Sequence, residues 1–285
     1  MAIGSVLIGL GPFLVEHSGV GAEANTFYRL LIGTIFFLGF RYKKNLKSFP
    51  LLFVLISCLT GLLLFLDLYL CNKSVLLTSP GIATVLSNLE IFFLIILGKI
   101  FFKESPPKGF LLLCPAALIG IFALVAPLTS NLTLLELLGL IMAVSASISY
   151  GLYLFFMKYI LTKHPDIHPE SLLALACLSG CVILGIYMAY QPGNLFLLPT
   201  TQAFSSVIVN GIITQVIGWW LISKSIRQIS LSLSGIILLL QPAVTYFLDN
   251  IVFNRSTHFL QIIGALVLLI TIYFIALHRE QKEEG

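Results

Sequence analysis

Charge is the scarcest property of this sequence. Asp, Glu, Lys and Arg together make up 10% of its residues, against roughly 25% in an ordinary soluble domain, while hydrophobic residues reach 58%. A soluble globular chain is thereby excluded, and no stretch between apolar runs is long enough to form a soluble domain. Clustered chemistry is missing too. The histidines, His17, His164, His168, His258 and His278, sit near segment ends or in loops, and there is no HExxH, no paired Asp and no Ser/His couple at membrane depth, so an intramembrane enzyme is not expected. The absence of a GxxxxGK[ST] loop excludes ATP as the energy source. Cys58, Cys71, Cys114, Cys177 and Cys181 lie inside apolar runs with no CxxC pair. They read as small packing residues, and neither a metal nor a cofactor is expected. A channel would need a polar stripe along the full length of a helix, and no segment has one. The net charge of +4 points to no nucleic-acid partner in such a chain; its use is in orientation.

What is present is a series of apolar runs of about 20 residues, the length that crosses a hydrocarbon core as a helix with its backbone hydrogen bonds satisfied internally. Ten are predicted, at about 2–18, 25–41, 50–71, 79–102, 108–127, 134–157, 170–190, 204–223, 230–253 and 257–277. Between them stand the usual breakers, among them Gly19, Gly21, Pro106, Pro107, Pro127, Pro165, Pro169, Pro192 and Gly193. The fold class is an all-α integral membrane protein. The first run has no basic residue ahead of it and no small-x-small cleavage site, so it reads as a retained helix rather than a signal peptide; its tight start at Met1 suggests a few residues upstream.

Lysine and arginine orient the helices. With the N-terminus inside, 13 of the 16 basic residues fall on cytoplasmic stretches, leaving Arg29, Lys73 and Arg255 toward the outside. This bias predicts a multi-pass protein of the cytoplasmic membrane with both termini in the cytoplasm.

The chain also repeats. Thr78 to Ser105 lies without a gap over Ile229 to Ser256, an offset of 151 residues. Ser79 falls on Ser230, Leu89 on Leu240, Leu97 on Leu248, Ile100 on Ile251 and Phe102 on Phe253, and upstream Lys73 and Ser74 fall on Lys224 and Ser225. Two copies of one unit follow, 1–128 and 129–285. Five helices per copy is odd, so the second copy enters from the opposite side. Two inverted five-helix repeats place a binding site near the membrane midplane that each half closes in turn, which is the architecture of a carrier.

These residues resemble the EamA-type transporters of the drug/metabolite transporter superfamily. That family's pattern is a small residue, Leu and a basic residue, then an apolar helix reaching an acidic or Gln residue before Pro, then Gly-Glu at the helix end. The second copy reads Ser225, Ile226, Arg227, then Gln241 and Pro242; the first reads Ser74, Val75, Leu76, then Glu90 and Ile91, closing on Lys103 and Glu104. Ile91 stands where Pro is expected, so the fourth helix should be straighter than the ninth, and Arg255 stands where the second Glu is expected. The resemblance implies movement of a small organic solute by export, exchange or uptake, without naming the solute.

Each copy carries one strongly polar side chain halfway along an apolar helix, Glu90 in the first and Gln241 in the second. A carboxylate at that depth must face protein or a water-filled cavity. Glu90 suits proton binding or recognition of a basic substrate group; the alternative is a protonated packing element hydrogen-bonded to a neighbouring helix. Asn88 lies about 200° around the helix from Glu90, so only one of them points into a pocket, and the Glu90 side, with Thr84, Ser87 and Phe93, is the favoured face. Gln241 reads as a substrate hydrogen bonder or clamp. Gln215 with Trp219 one turn on suits a planar organic solute, or Trp219 simply fills space. Tyr150 offers a hydroxyl from a run of small residues that otherwise reads as helix packing, and Tyr246 a wall one turn beyond Pro242.

An outer layer of charge holds Glu16, His17, Glu23, Arg29, Asp67 and Asp249. Arg29 is expected to pair with Asp67 or Asp249 as a gate, the alternative being interfacial anchoring. The fifth and tenth segments are nearly free of polar residues and face lipid or a second protomer, so a homodimer is possible. A lipid flippase with the same fold is the closest competing function.

Overall fold

The computed structural model describes residues 1–43, 51–104, 133–238 and 240–252, with isolated helical positions between 116 and 123 and between 259 and 274. Among the described residues there is no β-strand. The helices are α1 (Ala2–Gly9), α2 (Gly11–Ser18), α3 (Ala22–Lys43), α4 (Leu51–Leu77), α5 (Pro80–Ser87), α6 (Glu90–Phe102), α7 (Leu134–Lys163), α8 (Pro169–Tyr190) and α9 (Thr201–Asn210). A π-helical stretch, Gly211–Gly218, leads into α10 (Trp219–Ser225), followed by α11 (Leu231–Leu238) and α12 (Leu240–Val252). Eight of the ten expected segments fall on these helices, and the expected fifth and tenth lie almost wholly outside the described residues. Among the described residues, five stretches are long and apolar enough to cross a membrane: Leu51–Leu77, Pro80–Phe102, Leu134–Lys163, Pro169–Tyr190 and Thr201–Ser225.

Three expected helices lose regular α-geometry partway along, each for a local reason. In the first, Pro12 has no N–H to continue the ladder across Leu10, whose own N–H bonds back to Leu7 at 3.2 Å. In the fourth there is no proline, yet the helix stops at Ser87 and restarts at Glu90. The Asn88 side-chain amide donates to the Thr84 carbonyl at 2.6 Å, competing with the backbone ladder. The next turns tighten to i→i−3 bonds, Leu89 N–H to Leu86 and Phe92 N–H to Leu89. The expectation of a continuous fourth helix therefore gives way to two half-helices. In the eighth, Gly211 and Gly218 bound the π-helical stretch. A Cβ at Gly218 would stand 2.7 Å from Ile8, and one at Gly4 would stand 2.8 Å from the Gly218 carbonyl, so α1 crosses this stretch at backbone distance.

The packing is inside out relative to a soluble protein. Ile35, Phe36, Leu51, Leu55, Ile141, Val182 and Ile186 are exposed, whereas Arg29, Asp67, Glu90, Gln215, Gln241 and several Asn and Ser are buried. A surface of that kind suits lipid, and every buried polar group then needs a partner or a cavity. α4 packs along α7 and α8, and α3 along α8 and the π-helical stretch. α5 packs on α12 and α6 on α11, so the two stretches that align in sequence lie side by side in opposite directions.

Candidate functional site

The three irregular points converge on one cavity. Its wall takes Ile8, Gly9 and Pro12 from the first interruption, Thr84, Ser87 and Asn88 from the second, and Trp219 from the end of the π-helical stretch. Arg29, Asp67, Leu68, Cys71, Asn72, Tyr150 and Gln241 complete it. The volume is about 50 Å³. That holds water but no organic solute, for which pockets of roughly 300–1,000 Å³ are usual.

Arg29 enters from α3, 4% exposed. Its Nε donates to Gln215 Oε1 at 3.1 Å, and Gln215 Nε2 donates to Cys177 Sγ at 3.2 Å, so the guanidinium plane is fixed from behind. Gly11 makes room for its tip, since a Cβ there would stand 3.3 Å from Arg29 Nη1. Asp67 comes from α4, 7% exposed. The two groups act on each other electrostatically but form no ion pair among the described residues. The expected Arg29–Asp67 contact is therefore not made, the alternative partner Asp249 has its side chain outside those described, and both Arg29 and Asp67 line the cavity. Asn72 Nδ2 beside them donates to Thr26 Oγ1 at 2.9 Å.

The opposite wall is aromatic and amide. Gln241 Nε2 donates to the Tyr150 hydroxyl at 2.9 Å. The Tyr150 ring meets Trp219 edge-on at 5.7 Å, and Tyr153 meets the same indole at 4.8 Å. Trp219 is thus locked by two T-shaped contacts, while its Nε1 has no hydrogen-bond partner among the described residues.

The predicted residues divide as follows. Arg29, Asp67, Ser87, Tyr150, Trp219 and Gln241 line the cavity, and Gln215 stands behind Arg29. Ser87 donates to Cys71 Sγ at 3.6 Å. Glu90 does not line it. It is fully buried, both carboxylate oxygens have no hydrogen-bond partner among the described residues, and it packs where a Cβ on Gly151 would stand 3.4 Å from its own Cβ. Asn88 takes the wall position instead, and its Oδ1 also has no partner among the described residues. The face expected from Glu90 assumed an unbroken helix, and the interruption at 88–89 removes that premise. Phe93, expected on the same face, is 37% exposed. Tyr246 and Asp249 lie on α12, but their side chains lie outside those described. Asn72, Pro12 and Gly9 were not expected; the signal for Gly9 and Pro12 was the Gly9-Leu10-Gly11-Pro12 run, unusual at the middle of an apolar segment.

Charged side chains also link elements at both ends. Glu104 accepts from Leu231 N–H at 2.8 Å, Ser232 N–H at 3.2 Å and Ser232 Oγ at 3.0 Å. Lys158 Nζ stands 3.9 Å from Glu104 and also donates to the Ile229 carbonyl. At the other end, Lys73 Nζ pairs with Glu23 Oε1 at 2.8 Å, and Tyr69 donates to the same oxygen at 3.2 Å.

Comparison with known proteins bears directly on this arrangement. A family model described as the EamA-like transporter family matches residues 1–126 and 137–277. The uncharacterized transporter YxxF of Bacillus subtilis (strain 168) is 25% identical over 295 residues, spanning 99% of this chain and 90% of its own. A solved crystal structure spans 96% of this chain and 96% of its own with a TM-score of 0.70 and 14% identity, a likeness of fold.

Proposed function

The chain belongs to the EamA-like transporter family, within the drug/metabolite transporter superfamily, and is a multi-pass membrane transporter; from that premise we propose that it is a secondary carrier of a small organic solute, working by alternating access across the cytoplasmic membrane. In this reading ten helices form two inverted five-helix repeats, 1–128 and 129–285, with both termini in the cytoplasm. The antiparallel packing of α5 on α12 and α6 on α11 supports the inversion, and the family match in two stretches supports the duplication.

The observation that carries the proposal is the buried polar cavity at the meeting point of three helix irregularities. Interrupted helices near the midplane supply backbone groups and hinges where a solute binds. Polar groups kept there against their desolvation cost mark a substrate path. At about 50 Å³ the cavity is closed to solutes, so binding requires α1/α2 and α5/α6 to move relative to the helices behind them. Arg29, Asp67, Asn88, Tyr150, Trp219 and Gln241 contact the solute, Gln215 positions Arg29, and Glu90 couples transport to protons or solute exchange from behind the wall. No catalytic step and no cofactor enter this account.

Thermal unfolding of the purified protein in detergent against soluble metabolites tests it. A solute at about 100 times its dissociation constant stabilises the native state by about 2.7 kcal/mol. A set of chemically related soluble stabilisers supports the carrier reading. Stabilisation by lipids alone, with no soluble compound effective, replaces it with a lipid flippase.

A further inference from the structure

The linker that joins α10 to α11 is held at both ends by charges from other helices. Lys158 of α7, 6% exposed, donates through Nζ to the Ile226 carbonyl at 3.5 Å, where α10 ends, and to the Ile229 carbonyl. Glu104, just beyond α6, accepts from the Leu231 and Ser232 N–H groups, where α11 begins. A cation thus meets a helix C-terminus and a carboxylate a helix N-terminus, each complementing the dipole charge it faces. The two stand 3.9 Å apart. Lys158 Nζ also lies 5.4 Å from the centre of the Phe102 ring, in the last turn of α6. Yet α11 does not need Glu104 in order to begin. Ser230 Oγ accepts from the Leu233 N–H at 3.3 Å, as its repeat counterpart Ser79 accepts from Ile82, and water satisfies such early N–H groups at an open helix end. The carboxylate is therefore releasable.

Its position gives that release a consequence. α6 restarts after the interruption at 88–89 and runs 13 residues, or about 20 Å, to Phe102. The cavity lies at one end of this half-helix and Glu104 at the other. Between them α6 and α11 meet closely: a Cβ on Gly235 would stand 3.1 Å from Leu94 and 3.2 Å from Ile91, and one on Gly98 would stand 3.4 Å from Ser232 Oγ. Ile91, Leu94 and Ile95 are buried there. A half-helix hinged at its cavity end is held most firmly at its far tip. On the alternating-access reading above, we propose that Glu104 and Lys158 form the latch of the gate on the side where α6 ends, and that the carrier opens to that side when Glu104 leaves Lys158 and α11. Release strands neither charge, since Lys158 keeps its two linker carbonyls and Glu104 turns to water.

Cys71 lines the cavity and reports which side reaches it. The full chain is tested in sealed membrane vesicles of each orientation with a small, membrane-impermeant thiol reagent, and modification of Cys71 is followed by mass spectrometry. Glu104→Gln and Lys158→Met are expected to speed it about 10-fold or more, the population shift that loss of a charge-assisted hydrogen bond produces. The rise is expected only from the side where α6 ends, the cytoplasm on that reading. Gly98→Ala is expected to do the same with every charge in place, because its Cβ would stand 2.6 Å from Glu104 Oε2 and displace it. Unchanged rates overturn the proposal, as does an equal rise from both sides, which marks a loosened fold. A second measurement joins Glu104→Cys to Ser232→Cys with a short, reducible thiol cross-linker. Exchange of labelled for unlabelled solute is expected to stop and to return on reduction; exchange that continues across the cross-link also overturns the latch. One-sided labelling as expected, in a protein that exchanges no soluble compound, would keep the latch and remove only the solute-carrier reading.

Discussion

The Glu104 carboxylate caps the helix that begins at Leu231, accepting the Leu231 N–H at 2.8 Å across 127 residues of sequence. Ser232 adds two more hydrogen bonds to the same carboxylate. The end of one aligned stretch therefore ties down the start of the other. A capping side chain satisfies otherwise orphaned N–H groups and is worth about 0.5–2 kcal/mol. Glu104→Ala is predicted to lose that amount in equilibrium unfolding in detergent, and Glu104→Gln less, because the amide oxygen still accepts. The opposite end differs: the residue aligned with Glu104 is Arg255, a donor that cannot play the same part.

Lys103, just before that cap, holds a left-handed backbone with φ of 54°. It ends α6, and the following Glu104 N–H returns to the Gly98 carbonyl at 3.1 Å. A side chain in that region costs about 1–2 kcal/mol, offset in part by the greater freedom glycine loses on folding. Lys103→Gly is predicted to raise stability by up to about 1 kcal/mol, seen as a higher unfolding temperature with transport unchanged.

Much of this arrangement was legible beforehand, and what was not has identifiable physical causes. Helix positions followed from runs of apolar residues, because a segment in lipid must satisfy its own backbone. The polar residues that matter also stood out, since a polar side chain in such a run is costly. Orientation around the helix axis was not legible. The placement of Glu90 and Asn88 depended on a regular 100° step, and the Asn88 amide breaks that regularity by taking the Thr84 carbonyl, a competition that no periodicity records. Arg29 and Asp67 read as an outer pair because each lies one turn from a segment end. The structure buries both at the cavity wall, and Gln215 accepts the hydrogen bond from Arg29 that was expected to go to a carboxylate.

Close approach of α4 and α8 depends on Gly61. A Cβ there would overlap Ser179 Oγ and the Ala176 carbonyl oxygen, and would stand 2.9 Å from the Ala176 Cα. Backbone cannot yield as a side-chain tip can. Gly61→Ala is predicted to cost about 1–3 kcal/mol and Gly61→Val more, measured by unfolding in detergent.

Glu90 is buried behind the cavity wall with no hydrogen-bond partner for its carboxylate among the described residues, close enough to Asp67 and Tyr150 to act on them electrostatically. Glu90→Gln keeps the shape and removes the titration. Accumulation driven by a pH gradient is predicted to disappear in this variant while solute exchange persists. Equal loss of both activities would assign Glu90 to packing against Gly151 instead.

The central claim, that one buried site is offered to each side of the membrane in turn, is tested most directly by counterflow in proteoliposomes. Vesicles loaded with an unlabelled soluble stabiliser are diluted into a trace of the same compound carrying a radiolabel. A carrier exchanges the two, so the label is predicted to rise inside above its equilibrium level before falling. Label that merely equilibrates, with no transient excess at any internal load, would mean that both sides reach the site at once and would contradict the account.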